Sequence, residues 1–217
     1  MLILIIGAGG MGRDVMDAVE KNGTYRIAGF IDDIIPVGSD ISGYKILGTI
    51  ADLARISKDI CKGIIAIGDN WQRGKVSRKV KNAAKKFHFV NVIHPLASIA
   101  RNAQIGDGAI LLAETIVSSN AVMGKHTLLH IGAILGHDSE LQNYGCMLPG
   151  SKVGGNVRIG QYTSLGIGAT VIHGIAIGSH SFIGAGATVI SNIPSNVVAY
   201  GVPAIAARNR RKSEKHL

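Results

Sequence analysis

The chain has 217 residues, a formal net charge of +9 and only 5% aromatic residues. This length permits one or two domains with a sizeable core, and it contains no apolar run of about 18 residues that would predict a membrane span. The opening apolar segment is too short for a signal-peptide core, and the two cysteines lie in regions of different character, so we expect a cytoplasmic protein without a disulfide framework.

The positive charge is concentrated in residues 75–86 and in the tail from residue 208. Two interpretations stay open: a solvated helix face with a frayed tail, or attraction of a polyanionic small molecule such as a nucleotide sugar or coenzyme A. Nucleic acid is not expected as a partner, because no recognised binding motif accompanies the charge.

Residues 1–95 predict a small Rossmann-like βαβ domain, because apolar strands alternate with helices along this segment. Residues 34–48 form an excursion between two of these elements. The expected strands are Leu2–Ile6, Tyr25–Ile31, Gly63–Ile67 and Phe89–Ile93, and the expected helices are Arg13–Lys21, Ala51–Ile56 and Gln72–Lys86.

A glycine turn, Gly7-x-Gly9-x-x-Gly12, follows the first strand and opens the first helix. Glycines let the backbone approach a pyrophosphate, and the helix N-terminus supplies donors to it. Asp32 or Asp33, about twenty residues further on, would accept hydrogen bonds from a ribose or a base. The alternative is a turn that only permits close packing of strand and helix. As the ligand of this turn we favour a nucleotide-linked sugar over a nicotinamide cofactor, because nothing in the sequence indicates hydride transfer.

From Ile99 to Val189 every sixth residue is aliphatic, for sixteen positions without a break. A strict hexad is typical of a parallel β-helix, in which three short strands make one coil. We therefore predict a left-handed parallel β-helix of about five coils over residues 96–194, with small residues such as Ala109 and Thr115 at its crowded corners. Residues 195–217 are expected to form one strand, a short helix and a basic tail.

Five histidines, His126, His130, His137, His173 and His180, are expected to point outward from the coils, most of them without a catalytic role. His137 differs because Asp138 follows it, and a carboxylate that orients an imidazole makes the usual general base near neutral pH. His173 lies two coils beyond His137 on the same face, with Gly155 between them. Two interpretations stay open: an open groove, or a coincidence of spacing. No metal site is predicted, because neither cysteines nor histidines have convincing ligand spacing.

With these motifs in view, the whole chain resembles the sugar O-acyltransferases of the sialic acid O-acetyltransferase type, and most of all the bacterial UDP-4-amino-sugar N-acetyltransferases. The resemblance is carried by Gly7–Arg13, Gly29–Asp33, Ile65–Asn70, Val92–Pro95, Gly136–Asp138, the hexads and Gly201–Ala204. It implies a homotrimer in which acetyl-CoA lies in a cleft between subunits.

The resemblance also assigns roles to individual positions. His137 corresponds to the general base of the family, and Asp138 corresponds to the acidic residue beside that base. The sugar nucleotide would be held by Gly9, Gly10, Met11, Asp32, Asp33 and Gly68, and the coenzyme would lie near Cys146, Ile167 and Ala185. Met11 and Cys146 depart from the family pattern, which commonly has histidine at both positions, so polar contacts to the nucleotide sugar and to the thioester are in doubt there.

The sequence thus favours an acetyl-CoA-dependent acetyltransferase acting on the amino group of a UDP-4-amino-sugar for bacterial surface glycans. The first alternative changes the acceptor to a hydroxyl of a sialic acid or capsule sugar. Two further alternatives are a non-catalytic trimeric scaffold or sugar-nucleotide sensor, and a bifunctional protein with an N-terminal oxidoreductase.

Overall fold

The computed structural model describes residues 1–214, and its first part is a six-stranded sheet with helices packed against it. The strand order is β3-β4-β2-β1-β5-β6, parallel except for the β3–β4 hairpin. The elements are β1 (Leu2–Ile6), α1 (Gly10–Asn22), β2 (Arg26–Ile31), β3 (Asp40–Ile41), β4 (Tyr44–Gly48), a 3-10 turn (Ile50–Asp52), α2 (Leu53–Ile56), β5 (Lys62–Ile65), α3 (Asn70–Ala83) and β6 (His88–Phe89).

The apolar run of β1 explains its central place. Ile3, Leu4 and Ile5 are fully buried, as expected for a parallel strand covered on both faces. The predicted excursion over residues 34–48 holds two strands that the sequence pattern did not indicate, and β4 adds to the sheet beside β2.

Residues 92–193 form a parallel β-helix, which confirms the main inference from the hexads. Strands pair at a spacing of 18 residues, for example Leu111 with Leu129 and Leu129 with Met147. The second residue of each strand points into a continuous apolar core. The residues predicted to be small at corners are buried there, and Thr115 donates its hydroxyl to the carbonyl of Leu112 at 2.9 Å.

The β-helix has three faces, each a ladder of two-residue strands. The first face contains Val92–Ile93, Ile110–Leu111, Leu128–Leu129, Cys146–Met147, Ser164–Leu165 and Phe182–Ile183. The second contains Ser98–Ile99, Ile116–Val117, Ile134–Leu135, Lys152–Val153, Thr170–Val171 and Thr188–Val189. The third contains Gln104–Ile105, Val122–Met123, Glu140–Leu141, Arg158–Ile159 and Ala176–Ile177.

Where two faces meet, one residue on most coils adopts the left-handed backbone conformation, and a different residue type predominates at each edge. The ring edge, between the third and first faces, contains His126, Tyr144, Tyr162 and His180. The amide edge, between the second and third faces, contains Asn120, Asp138 and Asn156, preceded by Asn102 on the coil before. The glycine edge, between the first and second faces, contains Gly132, Gly150, Gly168 and Gly186.

Two expected elements differ from the structure. The predicted strand Phe89–Ile93 is divided, because Val90 N–H donates to Gly63 in the sheet whereas Val92 N–H donates to Ala109 in the β-helix. The C-terminal region is an antiparallel hairpin of Val197–Gly201 and Ala204–Asn209, without the expected short helix in its described part. The first of these strands extends the first face, and residues 215–217 of the expected basic tail lie outside the described residues.

The N-terminal domain is docked on the first face. Outward side chains of that face, Ile110, Leu128 and Cys146, share an apolar cluster with Val15 and Ala18 of α1. Over residues 1–214, no helix combines the length and the apolar character that crossing a membrane requires.

The start of α3 fixes this domain to the ring edge. The guanidinium of Arg73, which is completely buried, donates to the carbonyls of Ile67 at 2.7 Å, Gly68 at 2.9 Å and His126 at 2.9 Å. The side chains of the ring edge stack on one another. The ring centroids of Tyr144 and Tyr162 are 4.6 Å apart, and the two ring planes are inclined by 11°. Arg73 therefore joins the loop after β5 directly to the β-helix.

Candidate active site

The glycine turn opens onto a cavity of about 630 Å³ at the carboxyl ends of β1, β2 and β5. Gly9 is the N-cap of α1, and a Cβ on Gly9 or Gly10 would meet no atom within 4 Å, so both leave backbone open to the cavity. A Cβ on Gly12 would lie 2.3 Å from the carbonyl oxygen of Gly7, so that glycine serves close packing of helix and turn. The packing interpretation therefore applies to Gly12, whereas Gly9 and Gly10 leave room for a ligand and their binding role stays a prediction.

All six residues predicted to hold the sugar nucleotide line this one cavity: Gly9, Gly10, Met11, Asp32, Asp33 and Gly68. The sequence analysis missed the contribution of α3, whose Gln72, Val76 and Lys79 also line it. The lysines of that helix were visible as a basic segment, but the sequence does not indicate which of them turns toward the cavity.

Asp32 and Asp33 already organise the cavity wall. Asp32 accepts backbone N–H groups from Ala8, Ile34 and Ile35 at 2.8–3.0 Å. Partial burial opposes ionisation, but these three hydrogen bonds lower the pKa of Asp32. Asp33 accepts the N–H of Ile50, and its second oxygen lies 3.8 Å from Lys79 Nζ. Both carboxylates shape the loop, and their direct contact with a ligand stays a prediction.

His137 and Asp138 form a hydrogen-bonded pair on the amide edge. His137 Nδ1 lies 2.7 Å from Asp138 Oδ2, and both side chains are exposed. The hydrogen bonds from His137 and then from Asn120 lower the pKa of Asp138, so the carboxylate is ionised at neutral pH. Nδ1 is thus engaged as a donor, and Nε2 is left as the proton acceptor.

The imidazole of His137 lies directly over Gly155 on the next coil. A Cβ at Gly155 would be 2.3 Å from Nε2 and 2.9 Å from Cδ2. Gly155 was expected only as a gap between His137 and His173; the structure gives it a definite role, since any side chain there would displace the ring.

Two other histidines point outward from the coils as expected, but they do not face solvent. His126 and His180 are 5% and 8% exposed, since both stack with tyrosines of the ring edge under the N-terminal domain. His130 is partly buried, with Nε2 4.0 Å from Asp14, and His173 is exposed. Within the described part of the chain no group of three or more potential metal ligands occurs.

The three residues expected near the coenzyme differ in exposure. Ile167 and Ala185 are both exposed beside the glycine edge on successive coils. Cys146 is fully buried between the first face and the N-terminal domain, and burial raises the pKa of its thiol to about 11. Within one chain the docked domain covers that side chain, and a contact between Cys146 and the coenzyme stays a prediction.

Within one chain the cavity and the histidine–aspartate pair lie on opposite sides of the β-helix. The N-terminal domain covers the first face and the ring edge, whereas His137 lies on the edge formed by the other two faces. The residues found to line the cavity all come from positions 6–79, so none belongs to the β-helix.

Two family models match the chain: the PglD N-terminal domain over residues 2–80 and the bacterial transferase hexapeptide (six repeats) over residues 156–191. PerB from Caulobacter crescentus, solved in complex with CoA and GDP-perosamine, superposes with a TM-score of 0.89 at 30% identity, covering 96% of this chain and 98% of that one. The acetyltransferase domain of PglB from Neisseria gonorrhoeae, solved in complex with acetyl coenzyme A, superposes with a TM-score of 0.88 at 31% identity. That match covers 95% of this chain and 98% of the PglB domain.

A curated relative is the UDP-N-acetylbacillosamine N-acetyltransferase of Bacillus subtilis, which is 30% identical over 116 residues. That alignment takes in 51% of this chain, and the chain spans about half the length of the curated relative it matches. The matched domains and the superposed structures confirm the resemblance found in the sequence. The chain belongs to the hexapeptide-repeat acetyltransferases that carry a PglD-like N-terminal domain.

Proposed function

We propose that this protein transfers the acetyl group of acetyl-CoA to the amino group of a nucleotide-linked sugar, for the synthesis of a bacterial surface glycan. The observation that carries the proposal is the His137–Asp138 pair, with Nδ1 held at 2.7 Å from a carboxylate and Nε2 available. Relatives of similar length have bound CoA or acetyl coenzyme A, and one also has a nucleotide-linked amino sugar.

The chemistry follows from this geometry. The sugar amine attacks the thioester carbonyl and Nε2 of His137 takes the proton that the nitrogen loses. The C–S bond then breaks, and the imidazolium passes this proton to the departing sulfur, so coenzyme A leaves as the thiol. Asp138 stabilises the imidazolium that forms and holds the ring in the tautomer with Nδ1 protonated. Such general-base catalysis is typically worth about 10²–10⁴-fold in rate.

The sugar nucleotide would bind in the cavity beside Gly9 and Gly10, where the N-terminus of α1 attracts a diphosphate. We assign contacts there to Met11, Asp32, Asp33 and Gly68. Ile167 and Ala185, exposed beside the glycine edge, are the proposed coenzyme contacts.

We also propose a homotrimer, as the sequence resemblance implies, and the separation of the cavity from the His137–Asp138 pair supports an assembly in which neighbouring copies meet. Because His137 lies on the edge opposite the face that carries its own N-terminal domain, the cavity of one chain needs the imidazole of a neighbouring copy. Acetyl-CoA and nucleotide sugars are cytoplasmic metabolites, so we place the reaction in the cytoplasm.

The test compares His137→Ala with the matched variant His173→Ala, which removes another exposed histidine from the same edge. Release of coenzyme A is measured with a UDP- or GDP-linked 4-amino-sugar and with free sialic acid. We expect His137→Ala to lose about 10²–10⁴-fold in kcat and His173→Ala to stay close to the parent protein. A loss below tenfold at His137 would refute the general-base role, and turnover of sialic acid alone would favour O-acetylation.

A further inference from the structure

The amide edge continues beyond the His137–Asp138 pair as a column of hydrogen-bonded side chains. Asn102 Nδ2 donates to Asn120 Oδ1, and Asn120 Nδ2 donates to Asp138 Oδ1 at 2.9 Å. The second oxygen of Asp138 accepts from His137. An ionised carboxylate can only accept, so the amide nitrogen of Asn120 must face Asp138 and its oxygen must face Asn102.

Backbone conformation and backbone hydrogen bonds also hold this column of side chains in place. Asn120 and Asp138 have φ of +58° and +55°, and they occupy equivalent positions on successive coils. The N–H of Asp138 donates to the carbonyl of Ser119 at 2.9 Å, one of several backbone hydrogen bonds that join the two coils. Asparagine and aspartate tolerate the left-handed conformation better than most residues with side chains, so the edge can present polar groups in register.

We infer that Asn120 is a positioning residue that holds Asp138 in the orientation required by His137, an inference that rests on the proposed function. The carboxylate of Asp138 is partly exposed and would otherwise rotate in water. By engaging Oδ1, Asn120 turns Oδ2 toward Nδ1 of the imidazole. The same hydrogen bond contributes to the lowered pKa of Asp138, which keeps the acceptor ionised.

The first measurement is steady-state kinetics of Asn120→Gly, which removes the amide but keeps the positive φ accessible. A hydrogen bond to a charged group supports an expected loss of about tenfold in kcat, with the KM of both substrates unchanged within about twofold. The matched control is Asn156→Gly, on the same edge with φ +58° and without a hydrogen bond from its side chain to the pair among the described residues. It should keep the parent kcat. Asn120→Asp, which keeps shape and φ but replaces the donor with an acceptor, should lose at least as much as Asn120→Gly.

The second measurement combines Asn120→Gly with Asp138→Gly. If Asn120 acts through Asp138, the double variant turns over no more slowly than Asp138→Gly alone, whereas independent effects would multiply. Multiplying losses, a rise in KM without loss of kcat, or full activity of both Asn120 variants would overturn the inference. If His137→Ala also keeps its activity, the proposed function fails as well; if only the Asn120 results fail, the proposed function stands.

Discussion

Replacement of Gly155 by alanine tests how tightly the position of the His137 ring determines activity. The new Cβ would lie 2.3 Å from Nε2, whereas ordinary van der Waals contact between such atoms begins at about 3.5 Å. The ring must therefore move by about 1 Å. Since the Nδ1–Oδ2 distance is 2.7 Å, a shift of that size away from Asp138 takes the pair beyond good hydrogen-bond geometry.

A displacement of about 1 Å at a reacting group can cost about 100-fold in rate, so we expect Gly155→Ala to lower kcat by about that factor. The fold should survive, because the atoms in conflict belong to an exposed, rotatable side chain and Gly155 does not have a positive φ. Thermal unfolding should shift by no more than a few degrees, which would correspond to about 1 kcal/mol.

The control is the same substitution in a His137→Ala background, where the ring that Gly155 accommodates is absent. There Gly155→Ala should cause no further loss of kcat. If Gly155→Ala turns over as fast as the parent, or slows the His137→Ala protein to the same degree as the parent, the argument from the ring position is refuted.

Three further predictions concern the N-terminal domain and its docking. Arg73→Met should lower the free energy of unfolding by about 3 kcal/mol or more, because buried carbonyls lose their donor; urea denaturation measures this, and an unchanged midpoint would contradict it. Burial lowers the pKa of His126 to about 4, so below its unfolded value of 6.5 the unfolded chain takes up a proton that the folded chain excludes. Stability should therefore fall between pH 6.5 and pH 4, by up to about 3 kcal/mol, and His126→Phe should flatten this dependence; equal slopes in both proteins would refute it. Gly10→Ala should weaken sugar-nucleotide binding by about tenfold in calorimetry at unchanged melting temperature, whereas Gly12→Ala should lower the melting temperature; the reverse pattern would contradict the roles given to the two glycines.

The β-helix could be predicted from the sequence because the pairing of its strands follows from the regular spacing of aliphatic residues along the chain. Sixteen aliphatic residues at intervals of six determine which residues pair across coils, and the pairs Ile99–Val117 and Val153–Val171 follow directly. The identity of His137 as the candidate base could be predicted for the same reason, since Asp138 is its neighbour in the chain.

The docking of the two parts could not be predicted in this way. The burial of Cys146 depends on how α1 and α3 rest on the first face, and no periodicity encodes that contact. One signal was available: His126, Tyr144, Tyr162 and His180 recur every 18 residues at the same corner. Bulky rings in register at one edge indicate a covered surface, because exposed rings of this size would leave a large apolar patch.

The 18-residue register also limits how this protein can change in length. Gain or loss of a whole coil leaves every face and edge aligned, whereas an insertion of any other length within a strand would rotate all later side chains onto the wrong face. Duplication is further limited by position, because α3 contacts a fixed set of rings. A complete coil inserted between His126 and His180 would separate rings that the start of this one helix must contact together.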